Sequence, residues 1–320
     1  MSVTALIADI GGTNARFGIV DAHGTHDLMY LACQDYTGPA EAAEAYFQKV
    51  GITKRPQAGV MAVAGPVEDD LINFTNIQWT FRQSRLMQDL KLSSLEVMND
   101  FKAVALAVPG IAPRLLQKIG GGDIIPERSM GVIGPGTGLG VASLIWNGRD
   151  YTAQPGEGGH VTMPPINERE YAIFQQLRVK YHHISAERVC SGKGLENLYN
   201  AIRVLDNKMD KPDRTAPEIS EHAMKGTCEI CKESLDLMLG FLGRVSGNLA
   251  LTLYAQGGVY LAGGIPTKLG DYFNRSSFLE EFQSKGRQKD LMKKIPVYMI
   301  NHDAIGLLGL EQQAQRALKL

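Results

Sequence analysis

Short apolar runs closed by glycine turns set the rhythm of this chain. "VTALIADIGG" and "ARFGIVDAHG" read as two strands around a turn, and "AGVMAVAG" at 58–65 as a third strand buried on both faces. Between them "GPAEAAEAYFQKVG" spaces its small, apolar and charged residues as a helix does, with Gly51 as the stop. "SSLEVMNDF" predicts a strand running into Asn99-Asp100. An apolar helix, "FKAVALAVP", follows and is ended by Pro109. Strands alternating with helices make the fold class α/β. From about Gly110 to Glu127 the composition shifts to Gly, Pro and Ile, which places a seam between domains there.

After the seam the pattern restarts. "SMGVIGPGTGLGVASLIWNGRDYTA" is again strand, glycine turn, strand, displaced by about 125 positions from its N-terminal counterpart. Two copies of one supersecondary unit predict a pseudo-twofold pair of domains facing each other across a cleft. A long helical region is expected from about Pro217 to Gln256, with Gly240, Gly243 and Gly247 on one face. Glycines there lower helix propensity, so a close approach to a neighbouring element is the expected compensation. The strands "GGVYLAGGI" and "IPVYMIN" and a closing helix from Leu307 complete the pattern.

Composition narrows the function classes. With 320 residues, 44% hydrophobic, 21% charged and a formal net charge of −1, the chain reads as a soluble protein of one large or two ordinary domains. No basic run points to nucleic acid or to an acidic membrane surface. The uncharged stretch Val245–Ile265 carries five glycines plus Ser246, Asn248 and Gln256, so a buried helix and strand explain it better than a membrane span. The strand pattern begins within three residues of Met1, so neither a signal peptide nor a helix-turn-helix module is expected. The four cysteines are expected to be free thiols in a reducing compartment, and the location cytoplasmic. Cys228 and Cys231 form one C-x-x-C without a second ligand pair, so they read as helix-face thiols and no structural zinc is expected.

Three glycine turns each follow an apolar strand: "DIGGTN" at 9–14, "GPGTGLG" at 134–140 and "LAGGIP" at 261–266. Glycine lets backbone N–H groups converge on an anion without a Cβ in the way. The first turn also holds Asp9, which would repel a bare phosphate but makes sense facing Mg²⁺, through water, as that ion keeps much of its hydration shell. Taken singly, each turn has the plain alternative of chain reversal. No G-x-x-x-x-G-K-[ST] and no strict G-x-G-x-x-G is present, which argues against a P-loop and a dinucleotide fold. "PGTGLGVAS" also resembles the phosphate loop of the small-metabolite kinases that include galactokinase, a likeness that leaves the DIGGT turn unexplained.

Polar residues cluster at other strand and turn ends: Asn99 and Asp100 in "VMNDFKA", Glu157 and His160 in "AQPGEGGHVTM", and Glu187 in "HHISAERVCSG". Acids with an Asn and a His suit a hydroxyl-rich ligand, and Asp100 is the candidate base for phosphoryl transfer. Each has a bland counterpart. Asn99-Asp100 reads equally as a strand-end turn or helix N-cap, Glu187 as a helix salt-bridge partner, and His160 as a satisfied core histidine.

The motifs "DIGGTNAR", "NDF", "GPGTGLG", "PGEGGH", "SAERVCSG", "GGVYLAGGI" and "HD…GLLG", in that order over nearly the whole chain, resemble the bacterial ATP-dependent glucokinase family. This group is distinct from the repressor-type sugar kinase family, whose regulators carry an N-terminal DNA-binding segment and a C-x-C-G-x-x-G-C zinc motif, neither of which is read here. The resemblance implies two actin/hexokinase-like (ribonuclease H-like) α/β domains closing over glucose in the cleft between them. Residues 1–110 plus 301–320 would form the smaller domain and 111–300 the larger. It implies Asp100 as base for the 6-hydroxyl of glucose, and Asn99, Glu157, His160 and Glu187 as sugar ligands. Ala8, Asp9, Ile10, Gly11, Gly12 and Thr13 would form the first ATP phosphate loop, and Gly136, Thr137 and Gly138 the second. Gly263 and Gly264 would lie along the adenosine. ATP and Mg²⁺ are the implied cofactors and a homodimer the implied assembly. Pro135 and Ala304-Ile305 depart from the family pattern, which bears on loop detail. A kinase for another hexose and a sugar-sensing regulator are the competing readings.

Overall fold

The run "ALIADI" becomes β1 (Ala5–Ile10), and its side chains divide between two cores as strand alternation requires. Leu6, Ala8 and Ile10 pack with Ala42, Tyr46 and Phe47, while Ala5 and Ile7 pack with Leu307, Leu310 and Ala314 of the C-terminal helix. Helices on both faces are why this strand is apolar throughout rather than alternating. Asp9 is the exception, and it continues the Ala5–Ile7 face.

A computed structural model describes residues 3–74 and 77–318. The chain divides into two compact units, Met1–Ile111 with Ala304–Leu320, and Ala112–Asp303. Asn301–Asp303 go with the larger unit, where the Asn301 N–H donates to the Leu115 carbonyl at 2.8 Å.

In the smaller unit β1 is followed by β2 (Asn14–Asp21), β3 (Gly24–Ala32), α1 (Pro39–Lys49), β4 (Ala58–Val63), the hairpin strands β5 (Leu71–Asn73) and β6 (Thr80–Arg82), α2 (Gln83–Asp89), β7 (Ser94–Asn99) and α3 (Asp100–Ala107). The sheet order is β3-β2-β1-β4-β7, with β1 antiparallel to β2 and parallel to β4, and β4 parallel to β7.

The larger unit contains β8 (Leu116–Gly120), β9 (Met130–Pro135), β10 (Leu139–Trp146), β11 (Tyr151–Gly156), α4 (Glu168–Arg178), α5 (Gly192–Leu205), α6 (Ala216–Met224) and α7 (Glu229–Leu253). They are followed by β12 (Val259–Leu261), α8 (Gly264–Leu269), α9 (Asp271–Asn274), α10 (Phe278–Gln283), α11 (Lys289–Met292) and β13 (Val297–Ile300). Its sheet, β11-β10-β9-β12-β13-β8, repeats the smaller unit's plan. An antiparallel hairpin around a glycine turn is again followed by two parallel strands, and β8 is added at the edge. The duplicated unit expected from sequence is therefore present at the level of strand order. The closing helix α12 (Ile305–Leu318) returns to the smaller unit, where Gly309 lies against the Ala103 carbonyl of α3.

Three local expectations change. The Gly110–Glu127 seam contains β8, which the Gly and Pro content concealed. The single long helix is two, because Gly226 at φ +65° and the Thr227–Cys228 link break it between α6 and α7. Cys228 is accordingly the N-cap of α7 rather than a helix-face residue, while Cys231 is buried within the helix and burial pushes its thiol up to about 12. The glycine face of α7 meets its expected neighbour. A Cβ on Gly243 would run into the Phe278 carbonyl of α10, and one on Gly240 would stand 3.1 Å from Ser277 Oγ. Arg244 on the same helix makes two 2.7 Å bonds to buried Glu170 of α4 and a 2.8 Å bond to Glu281 of α10. Removing one partner of such a buried pair costs about 3–5 kcal/mol.

Candidate active site

Strand register assembles the first half of the site. Ile10 of β1 pairs with Val63 of β4, and Val63 pairs with Asn99 of β7. The glycine turn after β1 and the Asn99-Asp100 pair therefore leave the same carboxyl edge of one sheet, two strand spacings or about 10 Å apart. That edge is where open α/β sheets bind ligands. The Ala64 N–H donates to Ile10 O at 3.2 Å, and Asn99 Nδ2 donates to Gly65 O at 3.1 Å, so the three strand ends are laced together.

Asn99 is the N-cap of α3. Its Oδ1 accepts from the N–H groups of Phe101 (2.9 Å) and Lys102 (3.1 Å), as the bland reading foresaw. With that oxygen committed to the cap and one amide hydrogen on Gly65, a single N–H remains for a ligand. Asp100 opens α3, and its Oδ1 accepts from the Phe101 N–H at 2.8 Å. The cap thus fixes the backbone that carries Asp100.

Asp9 stands opposite Arg16 in the β1–β2 ladder, and Arg16 Nη1 lies 3.2 Å from Asp9 Oδ2. Burial holds the Asp9 carboxyl above its usual range, and the Arg16 charge and hydrogen bond act against that shift. Arg16 in turn sits over the Tyr30 ring, 5.4 Å from its centroid. The ion pair was not foreseen, although the antiparallel spacing of Asp9 and Arg16 around a four-residue turn is a readable signal. The turn itself is braced by Gly11 N–H to Asn14 O (3.0 Å) and Cys33 N–H to Thr13 O (2.8 Å). Beside it opens a pocket of about 700 Å³ lined by Gly12, Thr13, Gln34, Thr37, Gln78 and Trp79 among others. The Trp79 indole N–H is anchored on Tyr36 O at 3.0 Å. Sequence reasoning missed this wall, whose one signal was a lone Trp among polar residues.

In the larger unit Ile133 of β9 pairs with Leu261 of β12, so the turn at Gly136–Gly138 and the turn at Gly263–Gly264 also leave one sheet edge. The Ala262 N–H bonds to Ile133 O at 2.9 Å. Thr137, Gly263 and Gly264 are exposed, leaving their backbone free to meet a ligand. Glu157 and His160 face each other on a short 3₁₀ turn, with His160 Nε2 3.6 Å from Glu157 Oε2. Both are exposed, so His160 is not a core histidine. Glu187 forms no helix salt bridge either; its Oε2 accepts the Leu139 N–H at 3.0 Å.

The phosphate-turn, sugar-ligand and base candidates thus fall into two clusters. Ala8–Thr13, Asn99 and Asp100 share one sheet edge of the smaller unit. Gly136–Gly138, Gly263, Gly264, Glu157, His160 and Glu187 gather in the larger. Asp9 presents its Oδ2 to Arg16 Nη1. Among the described residues no group of three or more His, Cys, Asp or Glu could hold a metal. A magnesium ion here would rely on phosphate oxygens and water, which suits its chemistry. A separate recess of about 510 Å³ in the larger unit, around Glu170, Arg244 and Glu281, contains none of the candidates. Among the described residues no helix is long and apolar enough to cross a membrane.

Comparison with known proteins gives one consistent result. The family model described as Glucokinase matches residues 6–317. A glucokinase of Aromatoleum aromaticum is 42% identical over 315 residues, covering 98% of this chain and 95% of that protein. The crystal structure of a glucokinase from an Antarctic psychrotroph superposes with a TM-score of 0.86 at 31% identity, over 98% of this chain and 99% of that one. A glucokinase from Balamuthia mandrillaris, solved in complex with glucose, shares the fold at a TM-score of 0.84 and 20% identity, over 98% and 94% of the two chains.

Proposed function

The chain belongs to the glucokinase family, and on that premise we propose that it transfers the γ-phosphoryl group of ATP to the 6-hydroxyl of glucose. The observation that carries this reading is the Ile10–Val63–Asn99 register, which sets a glycine turn fit for phosphates beside Asp100 on one sheet edge. In the proposed reaction the sugar oxygen attacks the γ-phosphorus, the bond to the β-phosphate oxygen breaks, and Asp100 accepts the proton of the 6-hydroxyl. ADP leaves with the electron pair of the broken bond. Little covalent chemistry is asked of the protein, so positioning and charge stabilisation supply most of the rate.

The backbone N–H groups of Gly11–Thr13 and Gly136–Gly138 would receive the phosphates, with Gly263 and Gly264 along the adenosine. Magnesium, held by Asp9 through water, would neutralise charge on the β- and γ-phosphates. Glu157, His160, Glu187 and the remaining Asn99 N–H would hold the sugar hydroxyls. The acceptors outnumber the donors, as befits a ligand that brings its own O–H groups. A homodimer and a cytoplasmic location belong to the same reading.

A coupled assay of ADP release tests it with glucose, mannose, fructose, N-acetylglucosamine and glycerol. Glucose is expected to give the highest kcat/KM by at least an order of magnitude, since a site built to bond each hydroxyl rejects ligands that leave its groups unpaired. Preference for another sugar would assign the chain to a different hexose, and sugar-independent ADP release would remove the reading.

A further inference from the structure

Glu187 does two things that the sugar-ligand role alone does not require. Its Oε2 accepts the Leu139 N–H at 3.0 Å, directly after the second glycine turn. Its own N–H donates to Gly159 O at 2.8 Å, inside the loop that carries Glu157 and His160. The next residues grip the same turn from its other end, since the Gly192 N–H donates to Gly136 O at 2.9 Å. Ser191 locks this segment by donating its hydroxyl to Glu187 O at 2.8 Å while accepting the Gly194 N–H at 2.9 Å as the N-cap of α5. Within the turn, the Gly136 N–H closes onto Gly138 O at 2.8 Å. Residues 186–194 are thus a common frame for the sugar loop and the nucleotide turn.

Gly138 shows how tightly the carboxylate fits. A Cβ at this position would stand 2.5 Å from Glu187 Oε2. The intruded atom is the end of a flexible side chain, so an added methyl group would displace the carboxylate rather than the backbone.

We propose that Glu187 is a positioning residue for the second glycine turn, fixing the Gly138–Leu139 backbone for nucleotide even when no sugar is bound. The same carboxylate then meets the sugar with its other oxygen, so one side chain links the two substrates. The inference rests on the reading that the turn receives ATP, and it goes further by giving Glu187 a sugar-independent effect on nucleotide affinity. A purely sugar-binding Glu187 has no such effect.

The test is calorimetric titration of the full chain with the magnesium complex of a non-hydrolysable ATP analogue, without sugar and then with glucose. Glu187→Ala is expected to weaken analogue binding about tenfold without sugar, the loss expected from a charge-assisted hydrogen bond that orders a binding turn. Glu187→Gln is expected to stay within about twofold for the analogue, because its amide oxygen still accepts the Leu139 N–H, while losing glucose affinity with the carboxylate. Gly138→Ala, which leaves Glu187 in the chain but pushes it off Leu139, is expected to reproduce the alanine variant's loss. If Glu187→Ala does not fold, Glu187→Gln with retained analogue affinity beside a loss in Gly138→Ala supports the proposal. Wild-type analogue affinity in folded Glu187→Ala or in Gly138→Ala would overturn the proposal, as would an equal loss in Glu187→Gln. Failure of the wild-type chain itself to bind the analogue would instead overturn the nucleotide reading on which the proposal rests.

Discussion

The first glycine turn takes its acid from the strand that leads into it, whereas the second takes its acid from a segment 48 residues beyond Leu139. Asp9 lies one pair back from the end of the β1–β2 ladder, and the corresponding place in the β9–β10 ladder is Gly134. The two sheets share one strand order, so the frame is repeated while the chemistry is not. In the smaller unit the acid is half-buried and paired with Arg16, and the proposed use is its charge. In the larger unit the acid is a hydrogen-bond acceptor that holds backbone. Duplication fixes where a turn leaves a sheet; the ionisable groups around each turn are chosen separately.

On the proposed reading the chemical step falls to the smaller unit, through Asp100, and variants can break that proposal. The largest effect is expected from Asp100→Asn, which removes the proposed base but keeps a polar side chain. Its kcat should fall by about 10²–10⁴-fold with glucose binding retained, measured by steady-state kinetics beside calorimetry. Near-normal turnover would take Asp100 out of the reaction. Asp9→Ala comes next. The KM for Mg-ATP should rise roughly tenfold or more while glucose affinity stays near wild type. An unchanged Mg-ATP titration would dissolve the difference between the two acids.

A smaller effect compares the two helix contacts that glycine permits. Gly309→Ala and Gly243→Ala each drive a methyl group onto a backbone carbonyl, of Ala103 in α3 and of Phe278 in α10 respectively. Each should cost ~1–3 kcal/mol, read as a fall in Tm. Only Gly309→Ala should also lower kcat, several-fold, because α3 carries Asp100. Equal kcat values in the two variants would show that the packing of α12 on α3 does not reach the site.

Much of this was legible along the chain because it is local. Apolar runs, glycine stops and the strand–turn–strand repeat gave the sheets, and the motif "DIGGTNAR" contains both Asp9 and its partner Arg16. The spacing of Gly240, Gly243 and Gly247 foretold a close approach to a neighbouring element, and α10 is that neighbour. What stayed hidden depends on distant pairing or on competing signals. The Glu187–Leu139 bond joins segments that no pattern relates. Strand β8 lies at a sheet edge in a stretch rich in Gly and Pro, where composition argues for a loop. The break between α6 and α7 turns on one left-handed glycine inside an otherwise helical pattern. Asn99 illustrates a middle case, since its capping role was visible but not that capping would use up its oxygen.

The claim at the centre is that this chain places a phosphoryl group on the 6-hydroxyl of glucose. The direct measurement is phosphorus and carbon NMR of the products formed from Mg-ATP and glucose by the purified full chain. Glucose 6-phosphate and ADP in equal amounts is the predicted result. ADP without a sugar phosphate, or a phosphate on another hydroxyl, would contradict it.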